Sequence, residues 1–394
     1  MSSSEIVICS PVRTPIGKFG GSLKDMSAAA LGAIAIQETL KRSQISADLI
    51  DTVIMGQVIQ AGSRMNPARQ AAINGGLPFK TPALTVNRVC GSGLQAIVNA
   101  ALEISAGYAS IAIAGGMENM DQAPYLLPKA RWGTRMGDAQ IIDSLLNDGL
   151  NDAFSGQHSG WHTEELNRIF NISREDQDRW AVRSQQRFSE AQALGKFNEE
   201  IIAIELLNHK KTVIFNQDES NRPETTLETF SKLKPTFRDN GSITAGNAPG
   251  LNSAASTMIV AERHFAEKLG LKPLARIAAH SVSAVDPNLF GIAPVSAIQQ
   301  VINRANWKLS DIDRFEINEA FASVPLACLR ELSLPEDIVN VEGGAIAHGH
   351  AIGATGAILT TRLLHSMQRD HLKRGIVSLC MGGGQGIALA LEKL

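Results

Sequence analysis

A basic excess, a leader segment, a long apolar run and a cysteine framework are all missing from this chain, and each absence removes a class of function. The 37 Lys and Arg are balanced by 39 Asp and Glu, with no run of like charge. That leaves nothing to neutralise a phosphate backbone, so no nucleic-acid partner is expected. Met1-Ser2-Ser3-Ser4-Glu5 lacks the basic and apolar regions of a secretory leader, and no segment is long enough for a transmembrane helix, so no membrane association is expected. Cys9, Cys90, Cys328 and Cys380 have neither disulfide nor metal-ligand spacing. No metal is expected, and a reducing compartment, the cytoplasm, fits. Leu391-Glu392-Lys393-Leu394 is not a peroxisomal or ER-retention tail.

What is present is the composition of a globular enzyme: 394 residues, 44% apolar and 19% charged. Short β-rich runs alternate with helical ones, the mark of an α/β fold. Ile6 to Cys9 and Thr52 to Met55 read as strands, and Ser27 to Lys41 reads as a helix. Asn66-Pro67 opens a helix that stops near Gly75-Gly76, with Ser27 and Asn66 as N-caps and Pro67 at the first helical position. Gly93 to Gly107 reads as a helix feeding the strand Ile111 to Ala114.

The pattern repeats weakly. Leu49-Ile50-Asp51-Thr52-Val53-Ile54-Met55-Gly56 matches Asp311-Ile312-Asp313-Arg314-Phe315-Glu316-Ile317-Asn318, with Asp51 and Asp313 in register. At similar spacing the turn and helix after Cys90 correspond to Gly353-Ala354-Thr355-Gly356 and the helix it opens, and the strand ending Gly115-Gly116 to Ile376 through Cys380. Two similar α/β halves follow. Between them, about Asp121 to Pro249 breaks the alternation and reads as an insertion, with a strong helix from Ser173 to Leu194 that carries capping-box spacing and stops at Gly195.

Cys90 stands where an apolar run ends and a helix begins, in Asn87-Arg88-Val89-Cys90-Gly91-Ser92-Gly93-Leu94. Helix N–H groups there favour a thiolate and lower the pKa below roughly 8.5; the plain alternative is a small buried hydrophobe. The repeat brings equivalent loop ends to one crevice, where ligands of α/β folds bind. Cys90, Asn318-Glu319-Ala320-Phe321-Ala322, His348-Gly349-His350 and Cys380-Met381-Gly382-Gly383-Gly384 all lie at such ends. His350 or His348 can take the thiol proton, Cys380 can exchange a proton with a carbon acid, and N–H groups at Cys90 and Gly382 to Gly384 can hold an oxyanion. Taken singly, each has a structural alternative: Cys380 as core, Asn318 as the cap of the helix through Leu332, and the glycines as a hairpin turn.

Six blocks in order resemble the thiolases, acetyl-CoA acyltransferases, over essentially the whole chain. They are Asn87 to Gly93, Gly115-Gly116-Met117-Glu118-Asn119-Met120, Gly291-Ile292-Ala293-Pro294-Val295, Asn318 to Ala322, Gly343 to His350, and Cys380 to Gly386. The resemblance implies a thiolase fold, two βαβαβαββ halves in a five-layer αβαβα arrangement with a loop domain over coenzyme A. The halves are 1–120 with 250–270, and 271–394; the loop domain is 121–249. It implies a homodimer or homotetramer, coenzyme A thioesters as substrates and no permanently bound cofactor. The expected activity is thiolytic cleavage of 3-oxoacyl-CoA and the reverse condensation of acetyl-CoA, as in fatty acid metabolism.

Carried over by residue, the resemblance makes Cys90 the acylated nucleophile, His350 rather than His348 its activator, and Cys380 the acid-base for the acetyl α-proton. Asn318, through a water, and His350 form one oxyanion site; the N–H groups of Cys90 and Gly382 form the other. His158, Arg222, Phe237 and Ala245 fall where the family touches coenzyme A, with Pro249 and Phe321 beside the thioester arm. The chain departs from the family at Pro249, where a serine is usual, and at Ser253, Ala351 and Ser159-Gly160-Trp161. A reshaped acyl pocket set by Ser159, Trp161 and Pro249 is expected. Alternatives are a non-catalytic acyl-CoA-binding homologue or another condensing enzyme of the superfamily.

Overall fold

Successive side chains of a strand leave the sheet on opposite faces, and here both faces are apolar. Ile6 and Ile8 enter one core while Val7 and Cys9 enter another; Ile54 opposes Val53 and Met55, and Ala112 and Ala114 oppose Ile111 and Ile113. In the second half, Val377 and Leu379 share the inner core with Ile8, whereas Ile376 and Cys380 face an outer one. Strands buried on both faces need helices on both sides. Three main cores are therefore stacked across five layers, the middle one enclosing the central helices and the other two lying under the outer helices.

A computed structural model describes residues 5–208 and 211–394. Met1 to Ser4, read above as no leader, lie outside the described residues. The principal strands run Ala83–Val86, Thr52–Gly56, Ile111–Asn119, Asn252–Glu262, Ile6–Arg13, then Ala275–Ala284, Gln385–Lys393, Arg374–Met381, Arg314–Ile317. The order is mirrored about the seam between Ile6–Arg13 and Ala275–Ala284, where only Val7 with Arg276 and Ile8 with Ala275 are in register. In each half the strands far from the seam are parallel and the two nearest it antiparallel.

The repeat has a physical counterpart. Asp51 Oδ2 accepts the N–H groups of Ser110 (2.7 Å) and Ile111 (3.2 Å), and Asp313 Oδ2 accepts those of Lys373 (2.7 Å) and Arg374 (2.8 Å). Each aspartate fastens the start of the next parallel strand. The halves differ at the outer edge. Where the first half has Ala83–Val86, the second has a single bridge, Phe315 to Val339. Asn340 replaces the missing ladder with its side chain, accepting from Ile317 N–H (2.9 Å) and donating to Ile317 C=O (2.8 Å).

The helices start as their caps dictate. Ser27 accepts from Ala30 N–H before Ala28–Ser43, Asn66 from Arg69 N–H before Pro67–Asn74, and Ser173 and Asp176 form a reciprocal capping box before Arg174–Ala193. The central helices Ser92–Ser105 and Thr355–Arg369 meet at glycines. A Cβ on Gly93 would lie 2.9 Å from Ala357 N, and one on Gly356 2.4 Å from Leu94 N. The obstructing atoms are backbone and the Cβ of Leu94, so neither side can yield cheaply. Gly356→Ala is expected to cost about 1–3 kcal/mol or more through overpacking, read as a lower urea midpoint. An unchanged midpoint would show that the helices do not need this contact.

The stretch 121–249 is pinned to both halves. Arg13, fully buried, pairs with Glu200 (2.8 Å) and Asp218 (2.8 Å). Glu319 accepts from Trp180 Nε1 (2.9 Å) and Ser184 Oγ (2.8 Å) of the long helix. Leu166, Trp180 and Ala181 pack into the outer core of the second half. Among the described residues, no helix is long and apolar enough to cross a membrane.

Candidate active site

Cys90 is presented by a strained turn. Val89 adopts φ +48°, a left-handed conformation unfavourable for a β-branched residue. Ser92 Oγ holds it there, accepting from Arg88 N–H (2.8 Å) and donating to Val89 C=O (2.7 Å), before the helix Ser92–Ser105 begins. Cys90 thus reaches a cavity of about 660 Å³. Burial pushes its thiol up to about 11, against the pull of the N–H groups of Gly382 and Cys90 itself, with nearby Glu118 adding to the rise. The helix start therefore does not yield the low-pKa thiol that the sequence suggested, because desolvation outweighs it. A neutral thiol needs a base.

His350 lines the same cavity. Its backbone N–H donates to Asn252 Oδ1 (2.8 Å), after Gly349 at φ +107°, where a Cβ would meet Asn252 at 2.5 Å. Thr355 Oγ donates to Ala351 C=O (2.8 Å) and lies 2.7 Å from His350 Nδ1. The hydroxyl proton being used, Thr355 accepts from Nδ1–H, which leaves Nε2 with its lone pair. Asn318 Nδ2 stands 3.3 Å from that nitrogen, and Asn318 Oδ1 is buried with no partner among the described residues. Burial pushes the imidazole down to about 4, so it is neutral near pH 7. His348 is fully buried outside the cavity wall, its ring 6.2 Å from that of Phe188. Position thus separates the two histidines.

Cys380, next to last in the strand Arg374–Met381, is fully buried and does not itself line the cavity. Burial raises its thiol well above the ordinary range, and Cys90 is near enough to raise it further. Gly382 to Gly384 form the tight turn between paired Met381 and Gln385, and Gly382 and Gly383 also line the cavity. Asn318 does not cap the helix Ser323–Leu332, whose N-cap is Ala322.

His158 caps the helix Ser159–Ile169, accepting from Gly160 N–H (3.0 Å) through Nδ1, and stacks on Phe237 with centroids 4.5 Å apart. Phe321 meets Phe237 edge-on at 6.1 Å. These three, with Ala245 and Pro249, line the cavity. Arg222 sits outside it, exposed, its Nη1 donating to Ala245 C=O (3.3 Å). Of the departures, Ser159 and Pro249 are in the wall. Trp161 is not: it is 39% exposed, with the Arg238 guanidinium 4.4 Å above its ring, so its expected share in the acyl pocket is withdrawn. Ser253 is buried, its hydroxyl 3.0 Å from both Asn119 Oδ1 and Asp121 Oδ2, and Ala351 packs with Ile16 and Ile358.

Several supporting residues carried no separate signal in the sequence. Thr355 and Asn252 fix His350. Glu118, fully buried, accepts N–H groups from Val58 (2.9 Å), Ile59 (3.4 Å) and Gly353 (3.0 Å), tying a loop of the first half to the second, and burial pushes its carboxyl up to about 8. Among the described residues, no group of three His, Cys, Asp or Glu is placed to hold a metal ion.

Comparison with known proteins agrees with this geometry. The family models "Thiolase, N-terminal domain" and "Thiolase, C-terminal domain" match residues 6–264 and 271–393. A probable acetyl-CoA acyltransferase of Staphylococcus epidermidis is 48% identical over 391 residues, 99% of each chain. An acetyl-CoA acetyltransferase of Cupriavidus necator is 47% identical over 99% of this chain and 100% of its own. The crystal structure of the Bacillus anthracis acetyl-CoA acetyltransferase superposes with TM-score 0.97 at 41% identity, covering 100% of this chain and 99% of that one. That of human mitochondrial 3-ketoacyl-CoA thiolase gives 0.96 at 40%, covering 100% of both. With family models spanning both halves and relatives this similar along their whole length, the chain belongs to the thiolase family.

Proposed function

We propose that the chain catalyses reversible, CoA-dependent cleavage of 3-oxoacyl-CoA, and in reverse the condensation of acetyl-CoA, through an acyl group carried on Cys90. The observation that supports this most is the placement of the Cys90 thiol and a neutral His350 in one cavity. In cleavage, Cys90 sulfur bonds to C3 of the substrate as its proton passes to His350. The C2–C3 bond then breaks and the departing acetyl-CoA enolate takes a proton from Cys380; the coenzyme A thiol next gives its proton to Cys380 as its sulfur takes the acyl group, and the broken bond leaves Cys90 to recover its proton from His350. Asn318 with His350, and the N–H groups of Cys90 and Gly382, stabilise the oxyanions.

In this reading residues 121–249 cover coenzyme A, with His158, Phe237, Phe321, Ala245 and Pro249 along its arm and Arg222 at the nucleotide end. Four free thiols suit the cytoplasm. The edge strand Ala83–Val86 and the exposed Phe79, Trp132 and Met136 suit a homodimer or homotetramer. Fatty acid metabolism is the setting that the substrate class suggests.

Incubation with free coenzyme A and a panel of 3-oxoacyl-CoA esters from acetoacetyl-CoA upward should consume substrate; no turnover at any length overturns the reading. The base must be neutral to accept a proton, and neutral imidazole is present above its pKa. With that pKa at about 4 rather than 6.5, the rate of Cys90 acylation is expected to be flat from pH 7 to 5.5 and to fall only below. An acid limb at pH 6.5 in quench-flow would contradict it.

A further inference from the structure

One part of the cavity wall is polar and has no share in the chemistry above. Asp152 and His162 both line the cavity, and their side chains are only 5% and 7% exposed. Asp152 Oδ2 is committed to the turn it begins, accepting the N–H groups of Phe154 (3.1 Å) and Ser155 (2.8 Å) and the Ser155 hydroxyl (2.9 Å). Its Oδ1 is buried and has no partner among the described residues. Ser155 Oγ lies 2.7 Å from His162 Nε2. With its one proton directed to Asp152, that oxygen accepts from Nε2–H, and in a neutral imidazole Nδ1 then carries the lone pair. Asp148 also lines the cavity, whereas among the described residues no Lys or Arg does. This part of the wall therefore offers acceptors and carboxylates, with no lysine or arginine to balance them.

We propose that Asp152 and His162 recognise a hydrogen-bond donor, a hydroxyl or a protonated amine, on the acyl chain of the 3-oxoacyl thioester. The inference rests on the thiolase reading and narrows its substrate class. A donor on the acyl chain would pair with this acceptor, an interaction that an unsubstituted chain cannot make. A carboxylate at the same place meets Asp148 and Asp152 with no counter-charge and is rejected.

The test compares kcat/KM for 3-oxohexanoyl-CoA with its 5-hydroxy, 6-amino and 6-carboxylate derivatives. The hydroxy or amino ester should exceed the plain one by about tenfold or more, which hydroxyl and amine arms distinguish, and the carboxylate should be poorest. His162→Phe and Asp152→Asn should bring the ratios toward one; His162→Phe decides the matter if Asp152→Asn, which also alters the turn, fails to fold. Equal values across the set in the unaltered enzyme overturn the proposal. So do variants that slow every ester by the same factor, since the donor recognised would then belong to coenzyme A. Acetoacetyl-CoA turnover, measured alongside, tests the thiolase reading separately. Should it be absent, calorimetric affinities of the Cys90→Ser protein for 5-hydroxyhexanoyl-CoA and hexanoyl-CoA still read the wall: about tenfold is expected, and equality overturns it.

Discussion

Cys90→Ser will lose covalent acylation and, with it, turnover by on the order of 10⁴-fold or more, the scale set by removal of a nucleophile that acts with its base. The thiol is already difficult to ionise here, since burial holds it at about 11. A serine hydroxyl, far less acidic, would have to give its proton to the same weakly basic His350. The turn itself should survive. It is held by Ser92 and the left-handed Val89 and does not depend on the sulfur. A Cys90→Ser protein with unchanged thermal stability and no acylation would match this account; one that acylates at the usual rate would remove Cys90 from the chemistry.

Cys380→Ser will separate the two half-reactions. Acylation by acetyl-CoA should persist, because it needs only Cys90 and its base. Exchange of acetyl α-protons with solvent should fall by about 10²–10⁴-fold, the usual share of a positioned acid-base group. The split follows from placement. Cys380 is buried beside Cys90 near the end of Arg374–Met381, whereas His350 reaches the cavity from a loop held by Asn252 and Thr355. Deuterium exchange into acetyl-CoA, followed by mass spectrometry, reads one step, and release of coenzyme A reads the other. Equal loss of both would mean that the two thiols act as one unit.

Local features of the fold were legible in the sequence because local chemistry decides them. Ser27, Asn66 and Ser173 cap their helices by bonds to residues three positions on. The repeat was legible at Asp51 and Asp313 because each makes the same two backbone bonds. What escaped was decided by tertiary burial. Desolvation reversed the expected direction of the Cys90 shift, and Asn340 stands in for a strand that its half of the repeat suggested. Ser159 and Trp161, two residues apart at one helix start, part company, the first in the cavity and the second outside under Arg238. The pairing of Asp152 with His162 could not be read either, since neither sits in a block shared with the family motifs and their contact runs through Ser155.

The acyl-Cys90 intermediate is most directly tested by intact-protein and peptide mass spectrometry of the unaltered enzyme quenched in acid after mixing with acetoacetyl-CoA. One acetyl group per chain, on the peptide that contains Cys90 and discharged by added coenzyme A, is the predicted result. Turnover with no adduct on that peptide, or an adduct on Cys380 in its place, would contradict it.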